Sequence, residues 1–422
     1  MSRHMKNLAN LKIPDEKALF MEDFEIYQSR ETETSLNYSG NELKIKEINT
    51  ENGYGIRVVN NSKIGFSYCQ KEEDIKQAMK QAQNLSRYSE KTSFTFAQKT
   101  RYNEMGLFDK KISEKDLMEL KDIVNEAVDA INSKGANARV ILNEVIEKIK
   151  IENTNGIDAK YRKTIHSLYI EAMEGTGMGF CYGSSIRRDT KPYEMALDAL
   201  EMAKNMKKAK KIESGKYNVV INVQALEGLL EIILPSFSGE WKRKKITKLS
   251  FGDKFSNLIS MYENPFCGAI GDRPFDDEAV ASRTMPLIEK GLVKSFLFDR
   301  ETAALAKENS QGNCSRSGYG SNPTISHTNI EIKPGELENV EEIGKHVEII
   351  SMHGSHTSNP TTGDFGMEVN IAFINGKPVR GFIMSGNIFD LLNNVIGLEK
   401  KQTRYANILA PKIAFSEVDL IG

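Results

Sequence analysis

The sequence predicts an α+β fold, and three observations carry that expectation. Short alternating apolar and polar runs, punctuated by Ser-Gly, Asn-Gly and Asn-Ser, mark antiparallel strands in the first half. Three stripes of apolar residues at helical spacing lie among them. Past Ile212 the texture changes to many short strand-like runs, frequent glycines and long polar loops, so the second half is mostly β. The change sets a boundary near residue 210, with an N-terminal α/β domain of antiparallel sheet and helices over 1–210 and a β-rich domain over 211–422.

In order along the chain, the runs LKIKEIN and YGIRVVN between Glu31 and Tyr68 predict a meander. Ile75, Met79, Ala82 and Leu85 then share one face of a helix over 72–85. Ser113 reads as the N-cap of a second helix, whose stripe of Leu117, Leu120, Val124, Ala127, Val128 and Ile131 ends at Gly135. Strands resume from Arg139 to about Tyr182, broken by a turn at Asn155-Gly156. A third helix opened by Asp189 and Pro192 runs through Met206. Further helix-like stretches fall near 224–234, 299–308 and 388–395.

Charge excludes several function classes. The 57 basic residues offset 58 acidic ones, so no long-range field draws the chain to nucleic acid, membrane surface or polyanion. The lysines of KKAKK at 207–211 complement a helix C-terminus instead, and KRKK at 242–245 is expected to have no measurable DNA affinity. No window approaches the roughly 18 apolar residues of a membrane span. Four scattered cysteines without CxxC spacing, and no N-terminal apolar stretch of the exporting kind, predict a reducing cytoplasm. The opening MSRHM has no pattern and reads as partly an expression remnant.

Several motifs invite a chemical reading. In LLEIILPSFSGEWKRK, residues 229–244, Leu226, Leu229, Leu230 and Ile233 fall on one helical face, Glu227 and Glu231 on its flank, and Pro235 ends or kinks the helix. A metal site needs lone pairs at two or three positions, which leucine and proline do not supply. In RPFDDEAVASR, residues 273–283, the consecutive Asp276, Asp277 and Glu278 are either acid/base groups or hard-metal ligands, or a structural turn in which Asp caps backbone amides; the turn is favoured. His353 and His356 have HxxH spacing in a Gly/Ser/Asn/Pro loop, and metal binding would need a third ligand such as His327, Cys314 or Asp364. The glycines of EGTGMGFCYG are followed by strand-like residues rather than a helix, so they belong to a hairpin or bend and not to a phosphate loop. The Gly/Ser/Asn loop from Gly312 to Ile330, with Asn313 and Asn322, is long enough to serve function, for example by letting an extended peptide add as a strand.

Several runs together resemble the TldD/PmbA family of zinc-dependent peptidases, also called modulators of DNA gyrase: GIRVV at 55–59, NTNG at 153–156, RPFDDEAVASR with the following LIEKGLVKSFLFD, GN at 312, TGDFG at 362–366 and NGKPVRGFIMSGN at 375–387. The resemblance spans nearly the whole chain and implies a barrel-like C-terminal domain. TldD-like members carry HExxxH on a helix and a C-terminal Cys that hold zinc, the Glu acting as general base; TldE-like (PmbA-like) members lack them. Laid on that motif, Glu231 matches its Glu, Gly239 a later Gly and Arg243 an Arg, while Leu230 and Pro235 take the two histidine positions, and no Cys follows Asn393. The resemblance therefore implies a TldE-like chain with no metal or other cofactor, joined to a TldD-like subunit or to a second copy, and acting on unfolded peptides. Asp276, Asp277, Glu278, Arg283, Asn313 and Asn322 are its expected peptide or partner contacts. Two rival expectations are a stand-alone peptide-binding homodimer and a metalloenzyme using His353 and His356.

Overall fold

The computed structural model describes residues 23–114 and 116–422. The MSRHM stretch and the N-terminal segment read for an export signal lie outside them. Among the described residues no helix is long and apolar enough to cross a membrane.

The first sheet has six antiparallel strands in the order β3-β2-β1-β4-β5-β6: β1 (Asp23–Ser39), β2 (Glu42–Asn60), β3 (Lys63–Cys69), β4 (Asn137–Asn153), β5 (Asp158–Glu174) and β6 (Gly177–Ser185). Successive side chains on a strand face opposite ways, and this sheet uses both faces. Ile26, Ile56 and Val58 pack under α1 (Ile75–Ser86), and Val140, Leu142, Leu168 and Ile170 lie under α3 (Leu117–Asn132) and α4 (Pro192–Met206). The alternate residues Tyr27, Ile149 and Ile151 point to the other face and meet Phe275, Ala279 and Tyr319 of the second half of the chain.

Two local expectations are corrected, and the hairpin expected at EGTGMGFCYG is present between β5 and β6 with a further role for its glycines. Asn52-Gly53 is no turn, since β2 runs straight through it. Gly53 is there because the Tyr319 ring would lie 2.4 Å from any Cβ. Ser113 closes the short helix α2 (Lys110–Ser113), and the N-cap of α3 is Asp116, whose carboxylate accepts from the Met118 and Glu119 amides. Of the glycines in EGTGMGFCYG, Gly175 takes a left-handed turn at φ +62°, but Gly177 and Gly179 permit contact: a Cβ there would stand 2.1 Å from the Ala203 carbonyl and 2.3 Å from that of Ala199 on α4.

The second sheet starts at β7 (Gly215–Ile221). Its minor strands are β8 (Met261–Glu263), β9 (Met285–Glu289), β10 (Leu292–Val293) and β13 (Ile330–Ile332), with β11 (Cys314–Ser315) and β12 (Thr324–Ile325) forming a separate pair. The remaining strands are β14 (Val347–His353), β15 (Asp364–Ile374), β16 (Lys377–Val379), β17 (Phe382–Asn387), β18 (Val395–Tyr405) and β19 (Ile408–Ile421). Because β7 pairs with β14 on one side and β19 on the other, β7, β14, β15, β17 and β19 close into a five-stranded barrel. Helix α5 (Val223–Ile233) packs its Leu226, Leu229, Leu230 and Ile233 into the core shared with this barrel and with the short helix Ile388–Asn393.

Candidate functional site

Helix α5 begins where the Asn222 side chain accepts from the Ala225 amide at 2.9 Å. It ends at Ile233 and passes directly into a 3-10 turn, Leu234–Phe237, that holds Pro235 in its first positions, where a missing amide hydrogen costs least. Ser238 then caps the short helix α6 (Gly239–Arg243). The proline thus redirects the helix instead of simply stopping it. This corner forms one wall of a groove of about 560 Å³ lined by Glu227, Leu230, Glu231, Leu234, Pro235 and Trp241. Ile325, Ser326, His327, Asn407 and Ile408 face them.

The groove is apolar with an acidic rim. Glu231 is exposed, and its carboxylate accepts from the Ser355 hydroxyl. Glu227, one turn earlier, has its pKa raised by burial and then by the Glu231 charge. Burial, helped by Arg273, lowers His327 to about 4, so it is neutral near pH 7. Among the described residues no Lys or Arg lines the groove.

The acidic run at 276–278 lies elsewhere, in a buried joint between the two halves. Asp276 Oδ1 accepts from the amides of Glu278 at 3.0 Å and Val280 at 2.9 Å, the capping turn favoured from sequence. Glu278 Oε1 accepts from Arg57 Nη1 at 2.7 Å, and its Oε2 takes the Arg300 amide at 2.7 Å. Arg57 also binds Glu25, as does Arg316, whose amide donates to Asp277 at 2.7 Å. Asp276, Asp277, Glu278 and Asn313 are all buried; Arg283 and Asn322 are exposed. None of the six lines the groove with Glu231. The loop from Gly312 to Ile330 supplies Arg316 and Tyr319 to the joint, and Tyr319 accepts a hydrogen bond from Gln70 at 3.1 Å.

Burial, then the Glu278 charge, pushes Asp276 up to about 7. Burial, reinforced by Asp276 and Glu278, raises the Cys314 thiol well above its ordinary value. These three form the one group among the described residues with His, Cys, Asp or Glu ligand atoms within 4.8 Å of one another. As a metal site it is poorly disposed: both Glu278 oxygens are already engaged, and a raised thiol pKa works against the thiolate that binds metal. His353 instead donates from Nδ1 to Asn370, with Nε2 3.4 Å from Glu368, and His356 is exposed on a short 3-10 turn. Asp364 pairs with Asn387. Sequence reasoning missed Trp241 in the groove and offered His327 only as a third ligand for His353 and His356, whereas it lines the groove; it also missed Glu25, Arg57 and Arg316 in the joint, where the arginine inside the apolar run GIRVV was the available signal.

Set beside known proteins, the chain matches all three parts of one family description: PmbA/TldA metallopeptidase domain 1 over residues 24–86, the central domain over 110–207 and the C-terminal domain over 214–422. The chain belongs to the PmbA/TldD family. It is 30% identical to an uncharacterized protein of Methanocaldococcus jannaschii over 91% of this chain and 92% of that one. It is 24% identical to the metalloprotease PmbA homolog of Buchnera aphidicola over 94% and 93%. In fold it resembles TldE from Thermococcus kodakarensis, with a TM-score of 0.86 at 22% identity, covering 95% of this chain and 97% of that chain. Among the described residues, the groove presents no converging ligand set for a zinc ion. There Glu227, Glu231 and His327 are the potential donors, and they do not form a group of three converging ligands.

Proposed function

We propose that this PmbA/TldD-family chain is a TldE-like, zinc-free subunit of a cytoplasmic two-component peptidase that acts on unfolded peptides, with a TldD-like subunit as its partner. The observation that supports this most directly is the chemistry of the α5 corner. Leu230 and Pro235, which stand at the two histidine positions of HExxxH, contribute hydrocarbon to the groove wall. Glu231 retains its place in the groove, but a carboxylate without a metal to acidify its water is a weak catalyst of amide hydrolysis. The role left to this chain is to form wall and peptide-binding surface beside a subunit that holds the metal.

Co-expression with a TldD-like chain bearing HExxxH, followed by affinity purification and size measurement, tests the reading. A stoichiometric complex with peptidase activity, absent from either chain alone, is expected. Self-association with no uptake of the TldD-like chain would instead favour a stand-alone homodimer, and chelator-sensitive peptide cleavage by this chain alone would overturn the assignment.

A further inference from the structure

We propose that the α5 groove selects peptides presenting a cation, an N-terminal ammonium or a Lys or Arg side chain, next to an apolar residue. The inference rests on the peptide-binding reading above and adds the substrate's chemical class.

Glu227 and Glu231 lie one helical turn apart on the rim. Like charges at that spacing repel and weaken a helix. No cationic side chain among the described residues pairs with either. Glu227 has neither a hydrogen bond nor an ion pair among the described residues, and Glu231 has the Ser355 hydroxyl. The basic residues that follow in sequence are committed elsewhere: Lys242 sits 3.2 Å from the centroid of the Phe251 ring, while Arg243 and Lys244 both pair with Glu240. With His327 neutral, the groove carries two carboxylates over an apolar floor, with no cationic side chain among the described lining residues. A cation placed there gains charge-assisted hydrogen bonds in partly desolvated surroundings, where they are stronger than in water.

The rest of the groove suits the neighbouring peptide residue. Leu230, Leu234, Pro235 and Ile408 offer hydrocarbon, and Trp241 offers a ring. β12 pairs with β11 on one edge, and no strand among the described residues pairs with its other edge, against which extended peptide can run. The volume is that of a small-ligand site and accepts a few residues, not a folded domain.

Trp241 is the sole tryptophan of the chain, so its fluorescence reports on this groove alone. Four alanine/leucine tetrapeptides serve as probes: one with a free N-terminus, its N-acetylated form, an acetylated form carrying lysine and an acetylated form carrying glutamate. Titrated into the purified full chain, the lysine form or the free-amine form binds at least about tenfold more tightly than the acetylated neutral and glutamate forms, and which of the two does so identifies the cation's source. Glu227→Gln and Glu231→Gln, both outside the packed core, remove most of that preference while thermal melts remain like wild type. Equal binding of all four, binding of none, or a lysine preference that survives both substitutions overturns the proposal. So does loss of all peptide binding when a TldD-like subunit is added, since the groove would then belong to the partner. Cation selectivity in a chain that takes up no TldD-like subunit would leave this proposal standing and remove the complex.

Discussion

Arg57 on β2 and Glu278 in the loop after Phe275 are 221 residues apart in sequence, yet Nη1 donates to Oε1 at 2.7 Å with both side chains buried. The pair ties the helix-free face of the first sheet to the second half of the molecule. Burial opposes the guanidinium charge, but Glu25 and Glu278 outweigh it and raise the Arg57 pKa above its ordinary value. The side chain is further enclosed by the Phe94 and Phe96 rings, with centroids at 5.1 and 5.5 Å.

Replacing Arg57 by Met roughly keeps volume but leaves buried Glu278 without its guanidinium partner and Glu25 with Arg316 alone. Removing one partner of a buried pair costs about 3–5 kcal/mol, because the remaining charge stays desolvated. Urea unfolding should show a loss of that order. Lys191→Ala, which removes an exposed pair with Glu194 at 3.1 Å, should change stability by less than about 0.5 kcal/mol. Equal effects of the two substitutions would mean that the joint is wet.

Asp276 makes stability depend on pH in an unusual direction. Its pKa in the fold, about 7, lies above the ordinary 3.8, so the folded state holds the proton more tightly. The resulting stabilisation is complete below about pH 4 and is lost as pH rises through about 7. Asp276→Asn keeps an oxygen to accept the Glu278 and Val280 amides and has no proton to lose. The variant should therefore gain on wild type between pH 5 and pH 8 in denaturant melts. Parallel pH profiles for the two proteins would show that Asp276 ionises normally.

Gly179 separates two accounts of a glycine run. If these glycines served only a bend, alanine would be tolerated at 179, which has no positive φ. The structure places the Ala199 carbonyl 2.3 Å and the Ala203 amide nitrogen 2.5 Å from a Cβ at that position. These are backbone atoms of α4 and cannot swing aside. Gly179→Ala should cost about 1–3 kcal/mol, the usual penalty of overpacking, seen as a lower urea midpoint at unchanged slope.

These cases mark what was legible in the sequence. The stripes of α3 and α5, the Asn155-Gly156 turn and the α4 start at Pro192 were read correctly, because each is written in residues a few positions apart. The antiparallel sheet, and the barrel-like second half implied by the family resemblance, are likewise present. Asn52-Gly53 misled because its glycine answers to Tyr319, far along the chain. Ser113 misled because Asp116 is an equally good cap three residues on. The joint and the groove could not be composed from local pattern: Arg57 finds Glu278 only once both halves have folded, and Glu227 and His327, 100 residues apart, line one groove only once the second half has.

Metal addition gives the plainest check on the zinc-free reading. A specific ion at 100 times its Kd stabilises the fold by about 2.7 kcal/mol, which raises Tm by several degrees in a protein of this size. The donors in the groove are two carboxylates on one helix and a histidine whose low pKa reflects a desolvated ring, and they do not converge. In the joint, Arg57 and the Arg300 amide already occupy Glu278, and Cys314 favours its thiol form. Neither place gives zinc a converging set of free, deprotonated ligands, whereas the unfolded chain exposes four cysteines and six histidines. Zinc should accordingly leave Tm unchanged or lower it slightly, and EDTA should have no effect. A zinc-induced rise of several degrees, reversed by EDTA and abolished by Glu231→Gln, would place the metal in the α5 groove after all.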